Sequence, residues 1–270
     1  MWVSPPFWPP SIGSSSAGLT DTRAPRGGAL VTGAARRIGR TIALELAKAG
    51  FDVAVHHNNS EADAADTVRE IEALGCRAVA LQADLTDEAA ARRLIPEAVA
   101  ALGPLTLLVN NASVFEDDRV GGLTRDSWDK HIETNLRAPV VLAEEFAARA
   151  SDGSCIINLL DQRVRKPDPR FFSYSLSRAG LWWATRTLAQ ALAPRIRVNG
   201  VGPGPTLQSI HQTAEEFAAE AENTLLQRPG DPAEVAKAVL YLVDAPMVTG
   251  QMIAVDGGQH LAWLTPDIVE

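Results

Sequence analysis

Cysteine and tyrosine are scarce in this chain, with two of each in 270 residues. Cys76 and Cys155 stand far apart, match no metal-ligand or disulfide spacing, and read as small core residues in a reducing, cytoplasmic compartment. Tyrosine chemistry would have only Tyr174 and Tyr241 to draw on. Basic residues are outnumbered 25 to 33, giving a net charge of −8 and a pI near 5.2. That balance argues against a general affinity for nucleic acid or anionic membrane, which requires clustered Lys and Arg. No apolar run reaches the roughly 20 residues that span a bilayer. The sequence also offers no metal-ligand cluster, no Ser–His–Asp order and no internal repeat.

Residues 1–26 hold five of the 17 prolines and show neither strand nor helix period. They lack the basic start and continuous apolar stretch of a secretory signal, and read as a flexible N-terminal extension. Residues 27–270 then form one domain. GALVTG (28–33) is a short apolar run ending in glycine, and Arg36–Ala49 repeats Ile38, Ile42, Leu46 and Ala49 at helical spacing. DVAVHH (52–57) is a strand; Ser60–Leu74 is a helix with Ser60 as its cap. RAVALQ (77–82), a helix over 86–102 and LTLLVNN (105–111) repeat the unit. A long helix over Arg125–Arg149 precedes SCIINLL (154–160), and Phe171–Leu192 precedes RIRVNGVGPG (195–204). A helix over Pro232–Val243, capped by Asp231, and the strand GQMIAVD (250–256) close the pattern. Apolar strands alternating with helices predict an α/β fold: a single doubly wound Rossmann-type domain on a seven-stranded parallel sheet. Ligands on such a sheet bind beyond the carboxyl ends of the strands.

The residues that follow each strand are therefore the ones to inspect. Strand 1 runs into Thr32-Gly33-Ala34-Ala35-Arg36-Arg37-Ile38-Gly39 and then a helix. Gly33 can make the tight turn, Gly39 lets the helix approach the sheet, and the helix N-terminus offers N–H groups to a pyrophosphate. At the end of strand 2, where an NAD site has an acidic residue, the chain has His56-His57-Asn58-Asn59-Ser60. With no carboxylate there and with Arg36 and Arg37 opposite, the site should prefer NADP. His57 reads equally as a partly exposed strand end. Asp84 could accept from the adenine amine or cap the following helix. After strand 4 comes Asn110-Asn111-Ala112-Ser113-Val114-Phe115, where Phe115 could stack on a flat ring or serve as a core aromatic. Strand 5 ends in Leu159-Leu160-Asp161-Gln162; Tyr174 follows thirteen residues after Asp161, with Arg178 one turn further along the same helix face.

TGAARRIG, NNAS, Asn135 in the long helix, Tyr174 before a cation at i+4, and VNGVGPG together resemble the short-chain dehydrogenase/reductase family over about residues 28–260. The resemblance implies Tyr174 as proton donor, Asn135 in a water relay, and Arg178 where the family carries a Lys that lowers the tyrosine pKa and holds the nicotinamide ribose. Arg37 stands at the usual middle glycine, Asp161 at the usual catalytic Ser, and Phe115 follows NNAS-Val. All three features are similar to pteridine reductases and dihydromonapterin reductases. In that branch the arginine contacts cofactor phosphate and substrate, the aromatic ring stacks on the pterin, and the Asp–Tyr pair handles the proton.

The expected NADPH site then comprises Gly33, Arg36, Arg37, Ile38, Gly39, His56, Asn59, Ser60, Asp84, Leu85, Asn111, Ala112, Ser113, Tyr174, Arg178, Pro203, Gly204 and Thr206. The substrate, a small pterin-like molecule, is expected against Arg37, Ser113, Phe115, Asp161 and Tyr174, with Asp161, Tyr174, Arg178 and Asn135 catalytic and no metal. Two rival readings stand beside this. One is a reductase of a ketone or oxoacyl thioester, disfavoured because Asp161 replaces the hydroxyl that would bond a carbonyl. The other is a non-catalytic NADPH-binding homologue, favoured only by Arg178, whose guanidinium cannot release a proton. The resemblance also implies a homodimer or homotetramer, consistent with Trp182 and Trp183 as contact residues on one helix.

Overall fold

The computed structural model describes residues 26–263. Apolar runs and amphipathic segments alternate as β1 (Gly28–Val31), α1 (Arg37–Lys48), β2 (Asp52–His57), α2 (Glu61–Ala73), β3 (Ala78–Gln82), α3 (Glu88–Leu102) and β4 (Leu105–Asn110). The second half continues with α4 (Arg125–Ile132), α5 (Ala138–Ala147), β5 (Ser154–Leu159), α6 (Phe172–Leu192), β6 (Ile196–Pro203), α7 (Ala214–Glu222), α8 (Pro232–Asp244) and β7 (Met252–Val255). The seven strands form one parallel sheet, as expected, and their order is β3-β2-β1-β4-β5-β6-β7. β1 and β5 are buried along their whole length; β1 reads as an unbroken apolar run, while β5 also buries Ser154 and Asn158. Ile42 and Leu46 of α1 and Val235 and Val239 of α8 cover one face. Leu94 and Ile95 of α3 and Leu142 and Phe146 of α5 cover the other. Phe146 is fully buried, and truncating such a ring to alanine costs about 3–5 kcal/mol. The strand order reverses between β1 and β4, so the binding crevice opens at their carboxyl ends.

Several local expectations need correction. The helix expected over Arg125–Arg149 is interrupted by a π-helical turn at Glu133–Arg137. Pro139 has no N–H to return to the carbonyl four residues back, so the ladder widens just before it. Ser60 sits at the start of α2 without a side-chain capping bond. Asp84 does not cap α3: its Oδ1 accepts from Thr86 N and Oγ1, and Asp87 caps the helix through Ala89 N and Ala90 N. The helix thus begins at Glu88, two residues later than expected. The extension expected over 1–26 lies outside the described residues except for Arg26, whose guanidinium covers the Phe51 ring at 4.7 Å. Asp231 caps α8 in a reciprocal capping box with Glu234, as the Asp-Pro pair suggested.

Candidate active site

The first cleft, of about 710 Å³, lies where β1 runs into α1. Gly33 turns the chain at φ 62°, and a Cβ on Gly39 would stand 2.2 Å from the Gly33 carbonyl oxygen. Both positions therefore require glycine. The loop is braced from β4: Thr32 Oγ1 accepts from Asn111 N at 2.9 Å and Ala112 N at 3.0 Å, while Asn111 Nδ2 donates to the carbonyls of Thr32 and Gly33. His56 braces it from β2. Its Nδ1 accepts from Gly33 N at 3.0 Å and its Nε2–H donates to Ala83 O at 3.1 Å, which fixes the neutral tautomer. Burial, with His57 nearby, lowers the His56 pKa to about 4 despite its bond to Ala83.

Arg36 caps α1 without a side-chain bond, leaving the first-turn N–H groups for an anion. At the far end of the cleft lie His57, Asn59, Ser60, Asp84 and Leu85. His57 is buried, contrary to its reading as an exposed strand end, and its Nδ1 has no hydrogen-bond partner among the described residues.

A second cleft, of about 1170 Å³, joins the first at Arg37, Ile38, Asn111 and Ser113. Arg37 adopts φ 55°, a left-handed conformation unusual for a residue with a side chain, and its Nη2 donates to Leu207 O and Gln208 O. Tyr174, on the first turn of α6, is 5% exposed and donates its hydroxyl proton to Asp161 Oδ2 at 2.7 Å. Asp161 also accepts from Arg163 N at 2.8 Å and Arg163 Nη1 at 3.1 Å. Burial raises the Tyr174 pKa, and Asp161 raises it further; Arg178 and Arg163 pull in the opposite direction. Arg178 is buried, donates Nη1 to Leu159 O at 2.9 Å, and lies over the Tyr174 ring at 5.2 Å. Phe115 stacks on Phe171 at 4.2 Å and meets Tyr174 edge-on at 4.7 Å. Pro203, Gly204 and Thr206, at the end of β6, complete the wall.

Buried polar networks hold this wall in place. Asn135 lies in the π turn, where Oδ1 accepts from Val114 N and Nδ2 donates to Val114 O and Ser177 Oγ. It thereby clamps the chain just before Phe115. Glu116 N, just after Phe115, donates to His131 Nε2 at 3.1 Å, so His131 is protonated at Nδ1 and donates to Ser173 Oγ at 2.7 Å. Ser173 in turn bonds Asp118, which also accepts from Ser127. Burial lowers the His131 pKa.

Residues 33–260 match the family profile described as Enoyl-(Acyl carrier protein) reductase, the adh_short_C2 branch of the short-chain dehydrogenases. The chain belongs to the short-chain dehydrogenase/reductase family. Among solved structures it is similar to the FolM alternative dihydrofolate reductase 1 from Brucella canis complexed with NADP, with 47% identity and a TM-score of 0.87 over 90% of this chain and 98% of that one. It is 35% identical to the 3-oxoacyl-[acyl-carrier-protein] reductase FabG of Staphylococcus aureus (strain Mu50 / ATCC 700699), over 86% of this chain and 98% of the relative. It is also 36% identical to the granaticin polyketide synthase putative ketoacyl reductase 2 of Streptomyces violaceoruber, over 86% of this chain and 96% of the relative.

Every residue expected to meet the dinucleotide in this short-chain reductase lines one of the two joined clefts. Two of them brace the phosphate loop itself: His56 Nδ1 accepts from Gly33 N, and Asn111 Nδ2 donates to the carbonyls of Thr32 and Gly33. Asn135 lines neither cleft. The cleft residues that were missed include Arg163, Phe171 and His211, whose Nε2 bonds Phe115 O at 2.9 Å. Phe171 stands at φ 51°, and only its place three residues before Tyr174 signalled it. Arg163, two residues after Asp161, carried no motif. His260 Nδ1 pairs with Asp256 Oδ2 at 2.6 Å, beside Gln259 of the second cleft.

Proposed function

We propose that this reductase uses NADPH to reduce a pterin-type heteroaromatic, converting a dihydropterin to a tetrahydropterin. The Asp161–Tyr174 pair at 2.7 Å carries this reading. A ketone reductase needs hydroxyl donors on a carbonyl oxygen; here a carboxylate side chain stands beside the tyrosine, next to the stacked rings of Phe115 and Phe171. The Brucella relative, described as an alternative dihydrofolate reductase, supports the same choice, since dihydrofolate carries a pterin ring.

The cofactor is NADP(H), and the first cleft fits it. Gly33 and Gly39 permit close backbone approach, α1 presents uncommitted N–H groups, and β2 ends without a carboxylate. The buried, unpartnered His57 Nδ1 adds a polar atom at the adenosine end. Bound there, NADPH supplies a hydride to a substrate ring carbon, and the adjacent ring nitrogen takes a proton. Tyr174 Oη would supply that proton, and Asp161 Oδ2, which accepts from Oη, would orient the hydroxyl. Arg178 favours release by placing positive charge over the tyrosine ring. Phe115 and Phe171 orient a flat ring.

Oxoacyl thioester reduction is the second reading, supported by the FabG relative. NADPH oxidation followed with dihydrobiopterin and with an acetoacetyl thioester separates the two. Turnover of the pterin is expected, falling 10²- to 10⁴-fold in Tyr174→Phe, the range for losing a general acid. Preferential turnover of the thioester would overturn the reading, and NADPH binding with turnover of neither would favour a binding protein.

A further inference from the structure

Arg163 has no part in the roles above, yet it lies at the centre of the second cleft. Its side chain is 16% exposed, and its only hydrogen-bonded guanidinium nitrogen among the described residues is Nη1, on Asp161 Oδ2. Nε is buried and without a partner among those residues. A guanidinium offers five N–H donors in a fixed plane, and burying them is unfavourable unless acceptors meet them. One carboxylate oxygen satisfies a single donor.

The guanidinium lies over the neighbouring pair of aromatic rings. Arg163 Cζ is 5.6 Å from the ring centroid of Phe115 and 5.6 Å from that of Phe171. These rings are stacked at 4.2 Å, with an angle of 18° between them. A flat ligand stacked against them would bring its edge to the guanidinium. Its neighbour Asp161 presents acceptors along the same wall. Arg163 and Asp161 together offer donors next to acceptors, which complements the edge of a heterocycle that mixes carbonyl oxygen or ring nitrogen with N–H groups.

We propose that Arg163 is a substrate-recognition residue, donating to a carbonyl or ring-nitrogen acceptor on the edge of a flat nitrogen heterocycle held by Phe115 and Phe171. This rests on the pterin reading of the site and adds to it the group that selects the ring. Simple ketones and thioesters lack such an edge, so their reduction does not call on Arg163.

The test measures dihydrobiopterin binding to the NADP-loaded enzyme by calorimetry, in the native protein and in Arg163→Gln and Arg163→Lys. NADPH affinity in each variant checks that the cofactor cleft is intact. The expected result is a 10- to 100-fold weaker dihydrobiopterin Kd and a matching rise in KM for Arg163→Gln, NADPH affinity within twofold of native, and partial recovery in Arg163→Lys. Unchanged dihydrobiopterin affinity in Arg163→Gln overturns the role of Arg163 and leaves the pterin reading standing. Should Arg163→Gln lose NADPH as well, Arg163→Lys decides, since it keeps the charge without the fork: native-like pterin affinity there overturns the proposal. Failure of the native enzyme to bind dihydrobiopterin overturns the pterin reading and the proposal with it.

Discussion

Arg178 holds the position where the family has lysine, and its surroundings define what it can do. Its Nη1 is committed to Leu159 O and its charge lies over the Tyr174 ring, so its action on the tyrosine is electrostatic. A fixed positive charge is all that action needs. Arg178→Lys should therefore keep kcat within a few-fold of native, whereas Arg178→Met should lower it at least 10-fold while the protein still folds. Steady-state assays with dihydrobiopterin read both. A gain of more than 10-fold in Arg178→Lys would instead show that the arginine fork obstructs the reaction. The tyrosine and aspartate were legible through the resemblance to the short-chain reductases, and the structure brings the start of α6 back beside the end of β5. Arg163 was not legible, since the direction of its side chain depends on the short 3-10 turn at Gln162–Val164, which has no periodicity to reveal it. Phe171 was hidden for a related reason: its left-handed backbone aims the ring where a regular helix start would not.

At the level of elements, strand and helix identities followed from apolar periodicity, and the seven-stranded parallel sheet matched the doubly wound expectation. What escaped was local and governed by backbone hydrogen bonding: the π turn before Pro139 and the true cap of α3 at Asp87. The β1–α1 loop carries a further consequence. His56 is neutral in the fold, with a pKa of about 4, and protonates near 6.5 when the chain unfolds. Its stabilisation is complete above pH 6.5, shrinks as the unfolded state takes up a proton the native state refuses, and is lost below about pH 4. The difference corresponds to about 3 kcal/mol. The lowered pKa of His131 acts in the same direction. Urea midpoints should drop between pH 7.5 and pH 5. His56→Gln, whose amide can accept from Gly33 and donate to Ala83 without titrating, should show a smaller drop. An equal drop in the variant would remove His56 as its source.

Across the whole molecule, the two clefts form one continuous channel along the carboxyl edge of the sheet. We propose that a subunit contact, if the chain self-associates, would use α6. Trp183 is 64% exposed there, and Leu176, seven residues earlier and so on the same helical face, is also exposed. Arg186 lies over both the Trp182 and Trp183 rings. We expect the protein to run as a dimer or tetramer in sizing with light scattering, and Trp183→Asp to shift it toward a smaller species. A native monomer would exclude the homo-oligomer.

Arg37 ties these scales together. It springs from the turn that cradles phosphate, in a backbone conformation that glycine would adopt without strain, and its guanidinium grips the carbonyls of Leu207 and Gln208 beyond the last turn of the substrate wall. The strain, of order 1 kcal/mol, accompanies a tether between the two clefts. Thermodynamic reciprocity applies to any such tether: whatever factor the dinucleotide adds to substrate affinity through it, the substrate must return to the dinucleotide. Cutting it with Arg37→Gly would give a more relaxed loop whose two ligands no longer sense each other.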